Sequence, residues 1–192
     1  MEEEVEGQVI EENAELDAET QARRQLALAQ IRQYPDPVLR MKAHEVSSFD
    51  EDLRRLVTRM RQLMTDARGV GLAATQVGIV QRVFVFQQGE DDVVAVVNPR
   101  LTERSDELET EDEGCLSLQG VHVPVERSLE VTLEGIDETG APVSYALAEL
   151  AARVVQHELD HLDGVLILDR TTPEARREAL GILRPKPYLA AL

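Results

Sequence analysis

Aromatic side chains are scarce in this sequence, which has no tryptophan, three tyrosines and three phenylalanines among its 192 residues. Basic side chains are outnumbered as well, 20 against 37 acidic ones, so the formal net charge is −17. Binding of nucleic acids without sequence preference needs a basic groove and aromatic side chains on which bases stack. We therefore expect no direct nucleic-acid chemistry.

Long apolar runs and paired cysteines are also missing. No stretch approaches the roughly 18 apolar residues that mark a membrane helix, and the N-terminus does not resemble a secretion leader. The single cysteine, Cys115, excludes an internal disulfide and agrees with a reducing compartment, although a lone buried cysteine is most often a small hydrophobic residue. These absences predict a cytoplasmic protein that does not bind membranes.

The acidic charge is concentrated at the N-terminus, where residues 1–20 hold nine acidic side chains and no basic one. Like charges repel one another and bury little apolar surface. We therefore predict an acidic, disordered extension over residues 1–25, with a short helix from Leu16 toward Ile31 as the alternative. The remaining chain is sufficient for one core, and it is predicted to divide into a catalytic domain at 26–170 and a C-terminal tail at 171–192 that is helical at first.

Apolar periodicity predicts an α+β fold, with mixed or antiparallel sheets packed around one central helix. Ser48-x-x-Glu51 is typical of a capping box and predicts a helix that ends before Gly69. Alternating or β-branched runs predict strands at 81–86, 92–97, 128–134 and 165–168, and the apolar spacing over 147–162 predicts the central helix.

The most informative segment is Gln156-His-Glu-Leu-Asp-His161, which lies within that helix. Residues four apart share a helix face, so His157 and His161 can bind one divalent metal ion while Glu158 reaches a water on the metal. Such an ion lowers the pKa of its water to about 7, and the carboxylate can transfer the proton. The pattern predicts metal-assisted hydrolysis.

These histidines could instead be solvated surface side chains or hydrogen-bonded core residues. The helical phase places His157 and His161 on the same stripe as Leu147, Leu150 and Val154, and this stripe is the apolar one. The histidines are therefore expected to point inward, which favours either a metal site or a satisfied pair of core residues.

A catalytic metal site usually has three protein ligands and one open position. Cys115, in Glu113-Gly-Cys-Leu-Ser117, lies in a predicted loop and could supply the third ligand as a thiolate. A nucleophilic cysteine is the less favoured alternative, because the best base, Glu158, already has a water to activate.

A third segment, Gly69-Val-Gly-Leu-Ala-Ala-Thr-Gln76, contains two closely spaced glycines. Glycines allow a backbone to approach another chain or a substrate closely, and Gln76 could then donate an amide proton. A simple turn with a surface glutamine is the alternative.

These three segments, in this order, resemble the three motifs of the peptide deformylases. The similarity extends over about 31–170 and includes Tyr34-Pro-Asp-Pro-Val-Leu39. It implies a metallohydrolase that removes the N-formyl group from formylmethionine at the N-terminus of newly made proteins. N-formylmethionyl nascent peptides are then the expected substrates.

The resemblance also implies which residues bind the metal and carry the chemistry. Cys115, His157 and His161 would hold one divalent ion per chain, Fe(II) in the cell and Zn(II), Ni(II) or Co(II) in preparations. Glu158 would act as general base and acid when the metal-bound water attacks the formyl carbon. The Gln76 side chain and the Leu116 backbone N–H would stabilise the resulting oxyanion.

Four further residues are implied in substrate binding. Gly71 would contact the substrate backbone. Val70, Leu150 and Val154 would line an apolar pocket for the methionine side chain, although a role in the core fits them equally well.

Four positions bear on how closely the chain follows the family pattern. Gln119 stands where many members have proline, His122 where some have a substrate-binding arginine, and Arg153 where an apolar pocket residue is common. These differences concern specificity rather than chemistry. Arg127 does fit the pattern, and we expect it to pair with an acidic neighbour such as Glu113.

Two other functions stay open. A zinc endopeptidase also uses His-Glu-x-x-His, but the metzincin pattern would place its third histidine at Ile167; Glu174 or Glu178 could serve another subclass. A metal-binding scaffold that has lost activity is the second, although Glu158 and Gln76 are both present.

A further partner is implied by the family's association with the ribosome near the exit tunnel. The candidate contacts are the basic residues of the C-terminal segment, namely Arg176, Arg177, Arg184 and Lys186.

Overall fold

The computed structural model describes residues 17–89 and 92–184, together with the backbone of residues 5–6 and 9–10. The strands are β1 (Val5–Glu6), β2 (Val9–Ile10), β3 (Gly71–Ala73), β4 (Val83–Gln87), β5 (Val93–Arg104), β6 (Leu108–Glu113), β7 (Val123–Ser128), β8 (Glu130–Ile136) and β9 (Pro142–Ala148). The α-helices are α1 (Ala18–Leu28), α2 (Glu51–Asp66), α3 (Glu149–Leu162), α4 (Ile167–Arg170) and α5 (Pro173–Leu183), and two 3-10 helices span Pro37–Arg40 and Ala74–Val77.

A five-stranded sheet organises these elements, with strand order β3-β4-β5-β8-β9. Strands β6 and β7 form a separate hairpin, and β1 pairs with β2. Every strand pair is antiparallel. The predicted α+β class is therefore confirmed, with antiparallel sheets. The central helix predicted at 147–162 is also confirmed, but it begins two residues later, at Glu149.

Strand β4 shows how the sheet is buried on both faces. Successive side chains of a strand point to opposite faces. Val83 and Val85 accordingly join the core on the α2 side, whereas Phe84 and Phe86 join the core that includes α3. Helix α3 is thus packed directly on the sheet, and all of its residues from Ala152 to Leu162 are buried.

A smaller third core lies between the β6–β7 hairpin and helices α4 and α5. It contains Cys115, Leu118, Val125, Leu166 and Ala179. The first part of the loop that follows β6, residues 114–118, is therefore enclosed by protein rather than exposed to solvent. This enclosure holds Cys115 inside the molecule.

The strand predicted at 165–168 is wrong. The chain turns at Gly164, which has a φ of +74°, and Ile167–Arg170 then forms one helical turn. The N–H of Leu166 donates to Asp169 Oδ2 at 2.9 Å at the start of that turn. An apolar run of four residues is too short for its periodicity to distinguish a strand from a buried turn.

The capping box predicted for α2 is also wrong, although the helix itself is confirmed. Asp50, not Ser48, is the N-cap, and its carboxylate accepts the N–H groups of Asp52 and Leu53 at 3.1 Å each. Aspartate suits this position as well as serine does, and the prediction considered Ser48 alone.

The predicted N-terminal extension is described only in part. Helix α1 starts at Ala18, where Asp17 accepts the N–H of Thr20 at 2.8 Å, so the alternative of a short helix applies to 18–28. The disorder predicted for most of the preceding residues lies outside the described part of the chain. The same holds for the end of the tail, beyond Arg184; the residues before it form helix α5. Among the described helices, none has the length and apolar character needed to cross a membrane.

Candidate metal centre

Three buried side chains from two distant segments converge on one point. Helix α3 provides His157 and His161, and the loop after β6 provides Cys115. Cys115 Sγ lies 3.3 Å from His161 Nε2, and the Nε2 atoms of the two histidines are 3.2 Å apart. The potential ligand atoms all lie within 4.8 Å of one another, and across 17–89 and 92–184 they form the one group of this kind.

The local sequence explains this convergence. His157 and His161 are one helical turn apart on the buried face of α3, with ring centroids 4.9 Å apart. Glu174 and Glu178, which a zinc endopeptidase could have used instead, are exposed on α5 and do not belong to the group. Of the candidates for a third ligand, Cys115 is therefore the one that the structure brings to the histidines.

Glu113 determines which ring nitrogen of His157 faces the site. Glu113 Oε2 lies 2.9 Å from His157 Nδ1, and Arg127 donates to both carboxylate oxygens at 2.9 Å. Burial favours the neutral acid, but the hydrogen bonds from Arg127 and His157 prevail and hold the pKa of Glu113 well below its usual range. The carboxylate is ionised and accepts, so Nδ1 is the donor and Nε2 is turned toward Cys115 and His161.

The two histidines differ in proton affinity. Burial acts to lower the pKa of His157, but hydrogen bonds and charge from Cys115 and Glu113 raise it to about 10. Burial, reinforced by the charge of His157, places the pKa of His161 well below its usual value. Two imidazoles and a sulfur, all buried and within 4.8 Å of one another, form a donor set that fits a divalent cation.

The second coordination sphere agrees with this fit. Histidines that bind metals typically donate their other ring N–H to a carboxylate, which is the arrangement of His157 and Glu113. Three protein ligands leave one position for water or substrate, as catalytic sites require. The buried group can therefore hold a metal ion, and its geometry does not select one metal.

Glu158 lies where α3 passes close to Gly71 of β3. Its side chain is fully buried. A Cβ atom added to Gly71 would lie 2.3 Å from Glu158 Oε1 and 2.9 Å from Val154 Cγ1. The absence of a side chain at Gly71 thus allows the carboxylate to lie against the edge strand of the sheet.

Gln76 is held in the 3-10 helix that follows β3. Its Oε1 accepts the N–H of Ala73 at 2.9 Å, and its Nε2 donates to Ser117 Oγ at 3.0 Å and lies 3.8 Å from Cys115 Sγ. Gln76 is fully buried, so the alternative of a surface glutamine is wrong. The amide N–H groups of Gln76 face the loop that carries Cys115 and Leu116.

The segment 32–34, which precedes the first 3-10 helix, forms hydrogen bonds with two of the motifs. The N–H of Arg32 donates to Gln76 O at 2.7 Å, and the N–H of Tyr34 donates to Ser117 O at 2.9 Å. The Gln33 side chain donates to Leu116 O at 2.9 Å. Gln33 is marked by no periodicity or motif, and Ser117 ends the Glu113-Gly-Cys-Leu-Ser117 motif but was assigned no role, so reasoning from sequence missed both contacts.

The residues expected to bind substrate lie together. Val70 and Val154 are buried in one core cluster and Leu150 is partly buried against it, and Val154 also lies beside Gly71. These side chains can therefore be part of the core and also line a pocket at the same place.

The positions that depart from the family pattern have different surroundings. Gln119 and His122 are exposed, and the His122 ring lies 2.9 Å from where a Cβ of Gly114 would be. Arg153 is buried and contacts Glu113 at 3.0 Å, so its charged group lies on the hairpin side of α3. The predicted pairing of Arg127 with Glu113 is confirmed.

Comparison with known proteins identifies the family. A family model described as polypeptide deformylase matches residues 28–177. The chain belongs to the polypeptide deformylase family. The peptide deformylase of Acidothermus cellulolyticus is 47% identical over 160 residues, which cover 83% of this chain and 87% of that protein.

Solved structures of peptide deformylases have the same fold. The crystal structure of peptide deformylase 1B of Arabidopsis thaliana, in complex with an inhibitor, has a TM-score of 0.75 and 42% identity, covering 80% of this chain and 89% of that chain. The crystal structure of the Thermotoga maritima peptide deformylase has a TM-score of 0.72 and 48% identity, covering 74% and 97%. These values extend the similarity from the three motifs to the deformylase fold as a whole.

Proposed function

We propose that this chain removes the N-formyl group from formylmethionine at the N-terminus of newly made proteins, as a metal-dependent hydrolase. The observation that carries the proposal is the meeting of Cys115, His157 and His161 beside two further buried groups, Glu158 and Gln76. Membership of the deformylase family supports the reaction, and the donor set supports the metal.

Glu158 is proposed as the general base and acid. A divalent ion held by Cys115, His157 and His161 would supply Lewis-acid activation of water at neutral pH. Glu158 follows His157 directly in the sequence and is excluded from solvent. Its carboxylate can therefore take a proton from the attacking water and return it to the amine that leaves.

Gln76 and Leu116 are proposed to stabilise the oxyanion. The Gln76 amide is held by Ala73 and Ser117, so its orientation is fixed before substrate arrives. Leu116 is fixed by the hydrogen bond from Gln33 to its carbonyl oxygen. Donors that are oriented in advance stabilise developing charge without reorganisation, and losing one typically costs about 10²- to 10³-fold in rate.

Strand β3 is proposed to receive the substrate. It is an edge strand of the five-stranded sheet, and an extended peptide can add to such an edge through backbone hydrogen bonds. Gly71 would make this backbone contact next to Glu158. Val70, Leu150 and Val154 would surround the methionine side chain with apolar surface.

Three finer statements belong to the proposal. We propose Fe(II) as the metal in the cell. Thiolate and imidazole ligands suit Fe(II), and they also suit Zn(II), Ni(II) and Co(II). We place the protein in the cytoplasm. We also propose contact with the ribosome near the exit tunnel through α5, whose Arg176 and Arg177 are exposed but are accompanied by the exposed Glu174 and Glu178.

The decisive experiment is hydrolysis of formyl-Met-Ala by the purified, metal-loaded protein. We expect turnover by the wild type and a loss of about 10²- to 10⁴-fold in kcat for Glu158→Ala, with the metal retained. A wild-type protein that binds metal but does not release formate would contradict the proposal and favour a binding module.

A further inference from the structure

Arg153 is a charged residue that is buried almost completely, with 4% of its side chain exposed. Its Nη1 donates to Glu113 Oε1 at 3.0 Å and to Val125 O at 2.8 Å. Its Nη2 donates to Glu109 O at 2.9 Å, and its Nε lies 3.0 Å from Glu111 Oε2. Each nitrogen of the guanidinium group thus has a partner on the β6–β7 hairpin, which is how buried charges are normally accommodated.

The contact with Glu113 completes the hydrogen bonding of that carboxylate. Oε1 receives Arg127 Nε and Arg153 Nη1, while Oε2 receives Arg127 Nη2 and His157 Nδ1. A carboxylate has about four lone-pair sites for acceptance. With all of them used, Glu113 has one orientation, and so has the His157 ring that it binds.

The two arginines come from different elements. Arg127 lies on β7, in the same hairpin as Glu113, whereas Arg153 lies on α3, four residues before His157. Arg153 therefore ties Glu113 to the helix that carries both imidazoles. Because Glu113 is two residues before Cys115 in the sequence, the same contact also positions the Cys115 sulfur relative to the imidazoles.

We propose that Arg153 is a positioning residue of the metal centre. It holds Glu113, and through Glu113 the ring of His157, in the orientation that binds the ion. The inference depends on the metal binding that the proposed function includes, but not on the substrate. Removing an outer partner of a ligating histidine typically weakens metal binding by about 10- to 100-fold.

The test compares wild type with Arg153→Met, which keeps the apolar stem and removes the charge. Both proteins are loaded with Co(II), and release of the metal into an excess of chromogenic chelator is followed below the unfolding temperature. We expect Arg153→Met to release the metal about 10- to 100-fold faster and to show a changed Co(II) absorption spectrum. Arg153→Lys, which can keep one ion pair with Glu113, should be intermediate.

Glu111→Gln is the matched control. It weakens a contact of Arg153 with a half-exposed side chain and leaves Glu113 in place, so we expect the wild-type release rate. If Arg153→Met is less stable to heat but releases Co(II) at the wild-type rate, Arg153 only anchors the hairpin and the proposal is overturned. Should Arg153→Met fail to fold, wild-type release from Arg153→Lys would overturn it, and release faster than that of Glu111→Gln would support it.

The two proposals fail in different ways. A wild type that binds Co(II) but does not hydrolyse formyl-Met-Ala would refute the proposed function, and the comparison of release rates would still decide the role of Arg153.

Discussion

Gly71 illustrates, at the scale of single residues, how little room the reaction centre leaves. The main chain of β3 passes so close to α3 that the position of a Cβ at residue 71 is 2.3 Å from Glu158 Oε1, a distance that no real Cβ contact shows. Glycine is needed here for this close approach and not for an unusual φ. The same residue is where we expect substrate backbone to bind, so one atom of added volume would disturb both partners.

Gly71→Ala is therefore predicted to displace the Glu158 carboxylate. Because a misplacement of about 1 Å near the reacting groups can cost on the order of 10²-fold, we expect kcat for formyl-Met-Ala to fall by about that factor. Metal content, measured by elemental analysis, should be unchanged, since neither the thiol nor the imidazoles are touched. Gly181→Ala is the control, because a Cβ there meets no atom within 4 Å; equal activity of all three proteins would contradict the assignment of Glu158.

Cys115→Ala is predicted to abolish tight metal binding. Loss of an outer partner already weakens a site by about 10- to 100-fold, so loss of a direct ligand should cost more than about 100-fold. The measurement is the metal-to-protein ratio after dialysis against a weak chelator. Alanine at this position fills less of the third core, so thermal unfolding of the metal-free forms of both proteins serves as the control for folding. Metal retained at the wild-type ratio would show that Cys115 is not a ligand.

At the scale of helices and strands, the elements with a strong local pattern of apolar residues were the ones predicted correctly from the sequence. Helices α2 and α3 have long apolar stripes and were predicted, as were β4, β5 and β8 with shifted bounds. Strand β6, Leu-Glu-Thr-Glu-Asp-Glu, is exposed except for Glu113, so it has no apolar alternation to find. Strands β3, β7 and β9 were missed as well. Strand β3 has only three residues, which is too short to show a period. Strand β9 does alternate, with Val143, Tyr145 and Leu147 less exposed than their neighbours, and was overlooked.

The cap of α2 gives a prediction at this scale. Asp50→Ala should lower the free energy of unfolding by about 1 kcal/mol, because two N–H groups at the start of the helix lose their acceptor. Ser48→Ala, two residues away, is the matched control and should leave stability unchanged. Urea unfolding followed by circular dichroism measures both variants. A loss of stability in Ser48→Ala but not in Asp50→Ala would contradict Asp50 as the N-cap and support the capping box predicted from Ser48.

At the scale of the whole molecule, the metal centre joins parts of the chain that fold around different cores. The imidazoles are carried by α3, whose apolar residues form one core with the sheet, and Cys115 belongs to the core of the hairpin and the C-terminal helices. A bound cation would therefore connect these two cores through side chains 42 residues apart in sequence. The unfolded chain does not hold these ligands together, so the free energy of metal binding adds to the free energy of folding.

Removal of the metal is accordingly predicted to lower the melting temperature of the whole protein. At a free metal concentration of 100 times Kd, a single site adds about 2.7 kcal/mol of stability, which corresponds to a shift on the order of 5 °C or more for a domain of this size. Differential scanning calorimetry of chelated protein, before and after addition of Zn(II), measures the shift. Cys115→Ala should show no gain from Zn(II). An unchanged melting temperature in the wild type would contradict a metal that connects the two cores.

The sequence by itself determined the chemistry of the candidate site. The order of the residues sets the four-residue spacing of His157 and His161 on one helix, and it sets which kinds of donor atom are present. It also determined the α+β class, since long apolar stripes and alternating runs depend on local periodicity. Only the tertiary structure decided that Cys115 reaches the two imidazoles, that Glu113 is enclosed by Arg127, Arg153 and His157, and that Gly71 borders Glu158. These contacts join segments with no local pattern in common, and they exist because packing of the sheet, α3 and the hairpin brings them to within hydrogen-bonding distance.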